Sequence, residues 1–452
     1  MPNSPWLEQL KLTRKINPLT QDQTVDILII GGGIAGICTA YFLLKNTNLK
    51  IGLVEATRIA HGATGHNAGQ VVGYFEKPFT EIVSEYGLEK ALAGQETFKT
   101  AWDLLDEMFV RENLDVPYSK LTGYAGMDNW SQIIHFLDKK LVRDKNGHHS
   151  NSALISQQAL ENFSLPKKYL GYFQVVDQAQ IWKVLETKNQ DYIAAFGVRK
   201  GVLNSSQFCE EVTDKLLFEY QSRFIIWEKS PIDELILEKE TAFAITNNAT
   251  ITANKVVLCT NGFENIKIEN KLGQDIDGIF HENVIGRIGY MAGYLEPKKL
   301  NPIATSFIKG ELQNSSAVEA DPYFYLTRRN YFYKKNEYSL VCVGGPEMEL
   351  ADRNQYDTKH KPNKQHFADI ANFLTTDFKY SPKKPQFDFK WHGLMGYTKN
   401  GLRLIGPEPR NKILLYNLGC NGVGILPSIY GGWKIAEFIN SKVTKSSIFD
   451  PN

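Results

Sequence analysis

The sequence predicts an α/β protein with two domains, one of which is assembled from separated segments of the chain. A length of 452 residues exceeds what one hydrophobic core ordinarily supports. A glycine-rich turn at residues 31–36 lies between an apolar run and a helix-like stretch, which is the pattern of a strand, a turn and a helix. Two other glycine-dense turns, at 62–69 and 419–424, indicate further places where backbone approaches a ligand.

Composition and charge favour a globular protein that binds a small molecule. Apolar residues make up 42% of the chain and charged residues 22%, as in ordinary globular domains. The 51 basic and 50 acidic residues are interspersed and give a net charge of +1, so no broad field attracts nucleic acid or anionic lipid. Five dispersed cysteines without a CxxC pair argue against a disulfide framework or a metal site, and they favour a reducing compartment, the cytoplasm.

The first 25 residues contain no apolar core of the kind that a secretory signal needs, and we interpret residues 1–25 as an N-terminal extension. The apolar run from Ile27 to Leu44 is about long enough to span a membrane. Its consecutive glycines and its strand-then-helix pattern favour a buried unit of a soluble domain instead. We therefore expect no transmembrane segment.

Residues 26–56, DILIIGGGIAGICTAYFLLKNTNLKIGLVEA, predict a strand, a glycine turn, a helix and a second strand. In the G-x-G-x-x-G spacing, the first glycine allows a tight turn, the second admits a diphosphate and the third lets helix and strand pack closely. The helix N-terminus offers free N–H groups to phosphates, and a carboxylate after the second strand accepts hydrogen bonds from ribose. The motif predicts a Rossmann-like site for FAD or NAD, made by Gly31, Gly33, Ile34, Ala35, Gly36, Glu55 and Ala56.

The stretch HGATGHNAGQ at residues 61–70 favours a flavin over a nicotinamide. Its three glycines remove side chains, so that backbone amides can lie against a planar ring, and its Asn and Gln side chains can bond to the ring edge. A nicotinamide dehydrogenase would instead continue into further alternating strands and helices. The residues of this predicted contact are Gly62, Ala63, Thr64, His66, Asn67, Ala68, Gly69 and Gln70.

These motifs, in their order and spacing, resemble the D-amino-acid oxidase-like superfamily of FAD-dependent amine oxidoreductases, and within it the gamma-glutamylputrescine oxidoreductase type. The resemblance covers nearly the whole chain and includes EATRIAHGATGHNAGQ, GVLNSSQFCEEV, ANKVVLCTNGF, DPYFYLTRRNYF and WHGLMGYTKNGLRLIGPEPRNKILLYNLGCNGVGILPSIYGGWKIAEFI. It implies FAD as the cofactor and oxidation of the C–N bond of an amine or amino acid by hydride transfer to flavin N5. Oxygen or another acceptor then takes the electrons.

The same resemblance implies a discontinuous FAD-binding domain of the glutathione-reductase type and a second α+β domain, with a mainly antiparallel sheet, for the substrate. We expect residues 26–80, 201–265 and 388–452 in the FAD-binding domain and residues 81–200 and 266–387 in the substrate domain. Two further turns are expected beside the cofactor, and the second precedes a helix predicted from about 427 to 438. Their residues are Thr260, Asn261, Gly262, Gly422, Val423 and Gly424.

The resemblance also bears on how the flavin is held. Dimethylglycine dehydrogenase-like relatives have a His in a similar loop that is bonded to the flavin 8α-methyl carbon, and His66 has the matching spacing in GATGHNAG. The alternative is an imidazole that only hydrogen-bonds to the cofactor or to neighbouring backbone, and the sequence leaves both open. Attachment through cysteine, as in sarcosine oxidase-like relatives, is disfavoured because Leu394 and Met395 occupy the corresponding segment.

The residues that contact the substrate are predicted from single side chains, since no sequence motif identifies them as the glycine motifs identify the cofactor site. A guanidinium in the substrate domain can hold a carboxylate at two points, which makes Arg287 and either Arg328 or Arg329 candidates, although most such residues are surface arginines. Aromatic residues at strand spacing can contact a cationic amine or belong to the core. The resemblance implies that the segment from Trp391 lies close to the ring. The candidate catalytic residues are Arg287, Tyr325, Arg329 and His392.

Two other functions are compatible with a dinucleotide site. One is a flavoprotein subunit of an electron-transfer complex without turnover of a small molecule, for which we expect a pocket that lacks polar groups. The other is a nicotinamide dehydrogenase, which the loop at 61–70 and the turn at 419–424 disfavour.

Overall fold

The computed structural model describes residues 4–11, 13–146, 152–297, 299–311, 323–334, 336–350, 352, 364–440 and 446–451. The helices are α1 (Pro5–Glu8), α2 (Ile34–Asn46), α3 (Phe79–Tyr86), α4 (Leu88–Arg111), α5 (Trp130–Lys145), α6 (Gln157–Glu161), α7 (Gln178–Leu185), α8 (Ser205–Glu219), α9 (Asp277–Asn283), α10 (Lys364–Thr376) and α11 (Ile425–Ile439). The strands are β1 (Gln23–Ile30), β2 (Ile51–Val54), β3 (Gln70–Val72), β4 (Tyr118–Met127), β5 (Ser152–Ser156), β6 (Gln174–Val176), β7 (Ala194–Leu203), β8 (Phe224–Trp227), β9 (Glu234–Leu237), β10 (Ala242–Ile245), β11 (Thr250–Leu258), β12 (Lys267–Asn270), β13 (Val284–Glu296), β14 (Ile303–Ile308), β15 (Tyr323–Tyr333), β16 (Asn336–Leu350), β17 (Phe389–Thr398), β18 (Leu404–Pro407) and β19 (Leu414–Leu418).

The first sheet contains the predicted dinucleotide unit. Strand β1 lies between β2 and β11, β8 follows β2, and β19 pairs with the last part of β11, all in parallel. The antiparallel β10 pairs with the first part of β11 and leads on to β9 and β12, and β18 pairs with β19. These parallel strands all end at the same edge of the sheet, where open α/β sheets bind their ligands.

The continuous apolar run of β1 is explained by burial on both faces of the sheet. Ile27 and Ile29 pack into the core that contains α2 and α11, whereas Leu28 and Ile30 pack into the core on the opposite face. A strand buried on both faces needs no polar alternation. Helices α2 and α11 approach closely, since a Cβ on Gly432 would lie 2.7 Å from the backbone carbon of Cys38.

The second sheet has the strand order β17-β13-β16-β15-β14-β4-β7-β5-β6, and β3 also pairs with β7. Its pairs are antiparallel except for β14 with β4 and β5 with β6. The structure therefore confirms the predicted fold class, a Rossmann-like domain beside an α+β domain with a mainly antiparallel sheet. Each sheet also pairs strands from distant parts of the sequence, such as β1 with β11 and β13 with β17.

Three strands lie in a different sheet from the one that the predicted division assigns to them. Strand β12, from the predicted substrate segment 266–387, extends the first sheet by pairing with β9. Strands β3 and β17, from the predicted FAD-binding segments, belong to the second sheet through their pairs with β7 and β13. Strand β17 belongs to the second sheet because it pairs with β13 along its whole length, although the strands that follow it in the sequence belong to the first sheet. The predicted division of the chain into two domains stays a prediction.

The five cysteines are all free thiols, and Cys420 is the one that is only partly buried. Among the described residues, no helix combines the length and the apolar composition that crossing a bilayer requires. The same residues contain no group of three or more His, Cys, Asp or Glu side chains able to hold a metal ion.

The predicted N-terminal extension is part of the packed core where the structure describes it. Trp6 is fully buried, meets Trp391 edge to face at 6.4 Å between ring centroids, and donates from Nε1 to Asn67 O at 2.6 Å. The guanidinium of Arg329 lies 4.4 Å from the Trp6 ring, and Tyr331 donates its hydroxyl hydrogen to Pro5 O at 3.0 Å. Helix α1 therefore packs beneath the loop at 61–70.

Trp6→Ala is expected to lower the free energy of unfolding by about 3–5 kcal/mol, because it leaves a cavity and removes the hydrogen bond to the loop. Urea unfolding followed by far-UV circular dichroism measures this change. Phe218→Ala is the control: its side chain is 80% exposed, so its change should stay within about 0.5 kcal/mol. Equal unfolding midpoints for the two variants would contradict the packing described for α1.

Candidate active site

A cavity of about 1490 Å³ lies between the two sheets, at the carboxyl ends of β1, β2, β8, β11 and β19. Ordinary small-ligand pockets measure about 300–1,000 Å³, so this volume suits a dinucleotide together with a small substrate. The predicted cofactor residues that line the cavity are Gly31, Gly33, Ile34, Ala35, Glu55, Ala56, Gly62, Ala63, Thr64, His66, Asn67, Ala68, Gly69, Gln70, Thr260, Asn261, Gly422, Val423 and Gly424. Their contact with the cofactor stays a prediction.

Two predicted cofactor residues lie outside the lining of the cavity. A Cβ on Gly36 would collide with Gly31 O, so this glycine has the packing role that the motif gives to its third position. Gly262 has a φ of +90°, in the left-handed region that favours glycine, and so allows the turn after β11. Both glycines shape the site without facing it.

The first turn of α2 forms the part of the cavity suited to a diphosphate. Gly31 has a φ of +107°, and a Cβ there would lie 2.7 Å from Cys259 O, so the turn requires glycine. Gly33 is the N-cap of α2, and Ile34 N donates to Thr64 Oγ1 at 2.9 Å. This bond ties the loop at 61–70 to the helix N-terminus, where the helix dipole favours negative charge.

Glu55 is held in place at the end of β2. Its Oε2 accepts from Gly32 N at 2.7 Å, and its Oε1 accepts from Thr57 N at 2.8 Å and from Thr57 Oγ1 at 2.9 Å. A carboxylate keeps further acceptor capacity beyond these three bonds, so it can still bind ribose hydroxyls. Residues 230–233, which follow β8, line the cavity next to it and were not among the predicted cofactor-binding residues.

The side-chain amides predicted at the ring edge have partners within the protein. Asn67 Nδ2 donates to Thr64 O at 2.9 Å, and Asn67 Oδ1 accepts from Gly69 N at 2.7 Å. Gln70 Oε1 accepts from the buried Lys200 Nζ at 3.4 Å. Asn67 therefore holds the loop in shape, and any bond from its side chain to the ring edge competes with these contacts.

His66 lines the cavity and has a defined tautomer when it is neutral. Its Nδ1 lies 2.9 Å from Gly62 O, and because a carbonyl oxygen only accepts, Nδ1 carries the hydrogen. Burial lowers the pKa of His66, with the Gly62 hydrogen bond acting in the opposite direction. The lowered pKa keeps the ring neutral near pH 7, and with the hydrogen on Nδ1 the lone pair is on Nε2.

Two further loops close on the same region. Cys420 N donates to Asn261 Oδ1 at 2.9 Å, which joins the turn after β19 to the turn after β11. Thr398 N, at the end of β17, donates to Asn421 Oδ1 at 2.8 Å. The glycine-dense turns are therefore connected to each other and to the second sheet by direct hydrogen bonds.

Arg403 is a lining residue that the sequence reading did not identify. Its side chain is almost fully buried, with Nε donating to Asn417 Oδ1 at 2.8 Å and Nη2 donating to Asn417 O at 2.9 Å. Among the described residues, no carboxylate pairs with it, and although burial lowers its pKa to about 10, it stays charged at neutral pH. A buried cation of this kind calls for an anionic ligand, and FAD carries a diphosphate.

The second sheet and α10 supply polar and aromatic groups at the other end of the cavity. Arg287 donates from Nη2 to Glu349 Oε2 at 3.3 Å and lies 4.6 Å from the ring centroid of Tyr397. The predicted residues Arg287 and Tyr325 both line the cavity. Lining residues here that the sequence analysis did not propose as site residues include Tyr323, Glu347, His366, Asp369 and Tyr397.

Arg329 and His392, both predicted as catalytic residues, lie outside the lining of the cavity. Arg329 is four residues beyond Tyr325, on the same face of β15, but α1 covers it and Gln9 Oε1 accepts from its Nη2 at 2.8 Å. His392 is not among the lining residues, although the next residues of β17, Gly393 and Leu394, are; its ring centroid lies 6.3 Å from that of Tyr290. Arg328 is also committed elsewhere, to Glu186, at 2.6 and 2.8 Å.

Comparisons with known proteins agree with this geometry. Residues 26–438 match the model of the family described as DAO, FAD dependent oxidoreductase. The gamma-glutamylputrescine oxidoreductase of Escherichia coli (strain K12) is 30% identical over 101 residues, which cover 22% of this chain and 23% of that protein. The probable oxidoreductase OrdL of Haemophilus influenzae is 22% identical over 248 residues, which cover 54% of this chain and 51% of that protein.

A solved structure extends the similarity over the whole fold. Glycine oxidase from Geobacillus kaustophilus superposes with a TM-score of 0.67 at 14% identity, covering 95% of this chain and 99% of that one. The curated relatives, in contrast, are matched over about half of their length or less. Because the family model spans nearly the whole chain, the protein belongs to the DAO family of FAD-dependent oxidoreductases, and FAD is its cofactor.

Proposed function

We propose that this chain oxidises the C–N bond of an amine or amino acid to an imine, which water then hydrolyses. One observation carries the proposal: a single cavity joins the strand ends of the dinucleotide sheet to a polar and aromatic face of the second sheet. Two of the proteins to which the chain is similar are named for nitrogen compounds, gamma-glutamylputrescine and glycine. Both names support this substrate class.

The described residues suit FAD along the length of the cavity. We assign the diphosphate to the N-terminus of α2, the ribose to Glu55, and the isoalloxazine to the loops at 62–70 and 422–424. Arg403 supplies fixed positive charge on the anionic side of the cofactor. When bound, FAD accepts the hydride and its two electrons.

The protein contributes orientation and exclusion of water rather than an elaborate set of acids and bases. Holding the substrate's α-carbon at the ring in the correct geometry removes a large part of the entropic barrier. Arg287 is positioned to hold a substrate carboxylate, and Tyr325 forms part of the wall beside it. Both roles are proposals.

An electron-transfer subunit without its own substrate is the competing function. Such a protein needs no polar groups around the ring, yet the cavity is lined by Arg287, Glu347, His366 and Asp369. These ionisable side chains favour an enzyme with a polar substrate.

Anaerobic mixing tests the proposed function directly. We expect at least one of glycine, sarcosine, L-proline and putrescine to bleach the visible absorbance of the flavin, because hydride transfer reduces the ring. Glycolate, which has a hydroxyl in place of the amine, is the control and should leave the absorbance unchanged. If dithionite reduces the flavin but none of a wide panel of amines and amino acids does, the electron-transfer function is the correct one.

Arg287→Leu is expected to weaken the binding of an amino acid about 10- to 150-fold, since a hydrogen bond to a charged group contributes about 1.5–3 kcal/mol. The dissociation constant comes from flavin reduction rates at increasing substrate concentration. Putrescine, which has no carboxylate, provides the internal control, and its binding should change little. An equal loss for both classes of compound would show that Arg287 does not hold the carboxylate.

We also propose that His66 Nε2 is bonded covalently to the flavin 8α-methyl carbon, supported by the neutral ring and the free lone pair on Nε2. After acid precipitation, we expect the yellow colour in the protein pellet of the wild type and in the supernatant of His66→Ala. Substitution of His61, whose Nδ1 contacts Ile59 O at 2.8 Å, is the matched control and should leave the colour in the pellet. Colour in the wild-type supernatant would mean that the flavin is held without a covalent bond.

A further inference from the structure

Glu347 lies on β16 at the substrate end of the cavity. In the sheet register, Glu347 is opposite Gly289 of β13, and Gly289 is in turn opposite Gly393 of β17. Residues directly opposite each other in an antiparallel sheet project to the same face. All three line the cavity, so the carboxyl group and the two glycines form one row across its wall.

The far end of this row touches the loop that we assign to the flavin. A Cβ on Gly393 would collide with His66 O, so the strand and the loop are in backbone contact there. Neighbouring strands are about 4.8 Å apart, which puts the backbone of Glu347 roughly 10 Å from that of Gly393. At Gly289, a Cβ would lie 3.1 Å from the Met395 side chain, so this methionine extends over the wall between Glu347 and Gly393.

A β-bulge sets the position of Glu347. The register between β13 and β16 shifts between Gly289 and Met291, where β16 has the sequence Gly344-Gly345-Pro346. Bulges bend a strand and re-aim its side chains, and they are common next to active sites. The two glycines and the proline, which has no N–H to donate, are residues that such an irregular stretch accepts.

The charges around Glu347 leave its carboxyl group available. Arg287, its diagonal neighbour, donates to Glu349 Oε2 instead, and among the described residues no cation forms an ion pair with Glu347. The Glu347 side chain is exposed to the open cavity, and partial desolvation by the surrounding wall raises its pKa to about 7, while the Arg287 charge acts to lower it. The other ionisable groups that face this end of the cavity are Tyr397 from β17, His366 and Asp369 from α10, Tyr323 and Tyr325 from β15, and Glu76.

We propose that Glu347 binds the ammonium group of the substrate and accepts its proton before the C–H bond breaks. This inference rests on the proposed amine oxidation. One N–H bond of the substrate breaks, its electron pair stays on nitrogen, and the proton forms an O–H bond on the Glu347 carboxylate. The neutral amine can then release a hydride to FAD, and Glu347 returns its proton to water after the product leaves.

Glu347→Gln in the holoenzyme tests this role, with whichever of glycine, sarcosine, L-proline and putrescine reduces the wild-type flavin fastest. In the wild type, the rate of anaerobic reduction should rise with pH through a midpoint near 7, because the carboxylate form accepts the proton. The variant should lack this rise and follow only the pKa of the free amine. At pH 7.5 we expect its rate to fall about 100-fold or more, the range of a single acid–base group.

Two further variants separate this role from a folding defect. Glu347→Asp keeps a carboxyl group and should keep the rise near pH 7, even if Glu347→Gln retains little flavin. Glu269→Gln makes the same chemical change at a partly exposed residue of the first sheet that lies outside the cavity lining and is paired with Lys271 at 2.6 Å, and it should behave as the wild type. Visible flavin absorbance and far-UV circular dichroism report on folding in each case.

The outcomes are distinct. A Glu347→Gln enzyme with the wild-type rate and pH profile overturns the role of Glu347 and leaves amine oxidation intact, as does loss of the rise near pH 7 in Glu347→Asp. Failure of every amine to reduce the wild-type flavin overturns both proposals together.

Discussion

The loop at 61–70 depends on contacts with both sheets, and the rest of the site depends on that loop. On one side, Thr64 accepts a hydrogen bond from the N-terminus of α2. On the other, the backbone of His66 packs against Gly393 of β17 so closely that no side chain fits between them. From beneath, Trp6 donates to Asn67 O. These three contacts hold the loop at 61–70 between the two sheets. The distance between the sheets therefore sets the width of the cavity.

Charge is distributed unevenly along the cavity. The end near α2 and α11 has two helix N-termini and the buried cation Arg403, all of which favour an anion. The opposite end carries Glu347 and Asp369 beside Arg287. A ligand with a negative diphosphate at one end and a positive amine near the other matches both regions.

The sequence predicted those parts of the site that consist of short motifs, in which the spacing of a few neighbouring residues is enough to identify the structure. The turn at Gly31 and Gly33, Glu55 after β2 and the loop containing Thr64 all line the cavity, because strand, turn and helix follow one another directly in the sequence. Helix α11, observed at Ile425–Ile439, was expected at 427–438 on the same kind of signal.

Residues that depend on long-range pairing could not be predicted in this way. Arg287 and Arg329 look alike in the sequence, but α1, some 320 residues away, covers only Arg329. The contribution of Glu347 depends on a bulge and on the register with Gly289. The residue types of Ala253–Asn254 predict a turn from the sequence, but these residues lie inside β11, which pairs there with β1.

The parallel pairing of β11 with β19 has a consequence for synthesis of the chain. Residues 256–258 gain their neighbours on one edge only when residues 414–416 are available. On a ribosome, the dinucleotide sheet would therefore wait, with that edge open, while the second sheet is still emerging. Contacts of such long sequence separation slow folding and leave strand edges exposed to other chains. Assembly of the sheet edge that carries the cofactor site therefore requires residues 414–416.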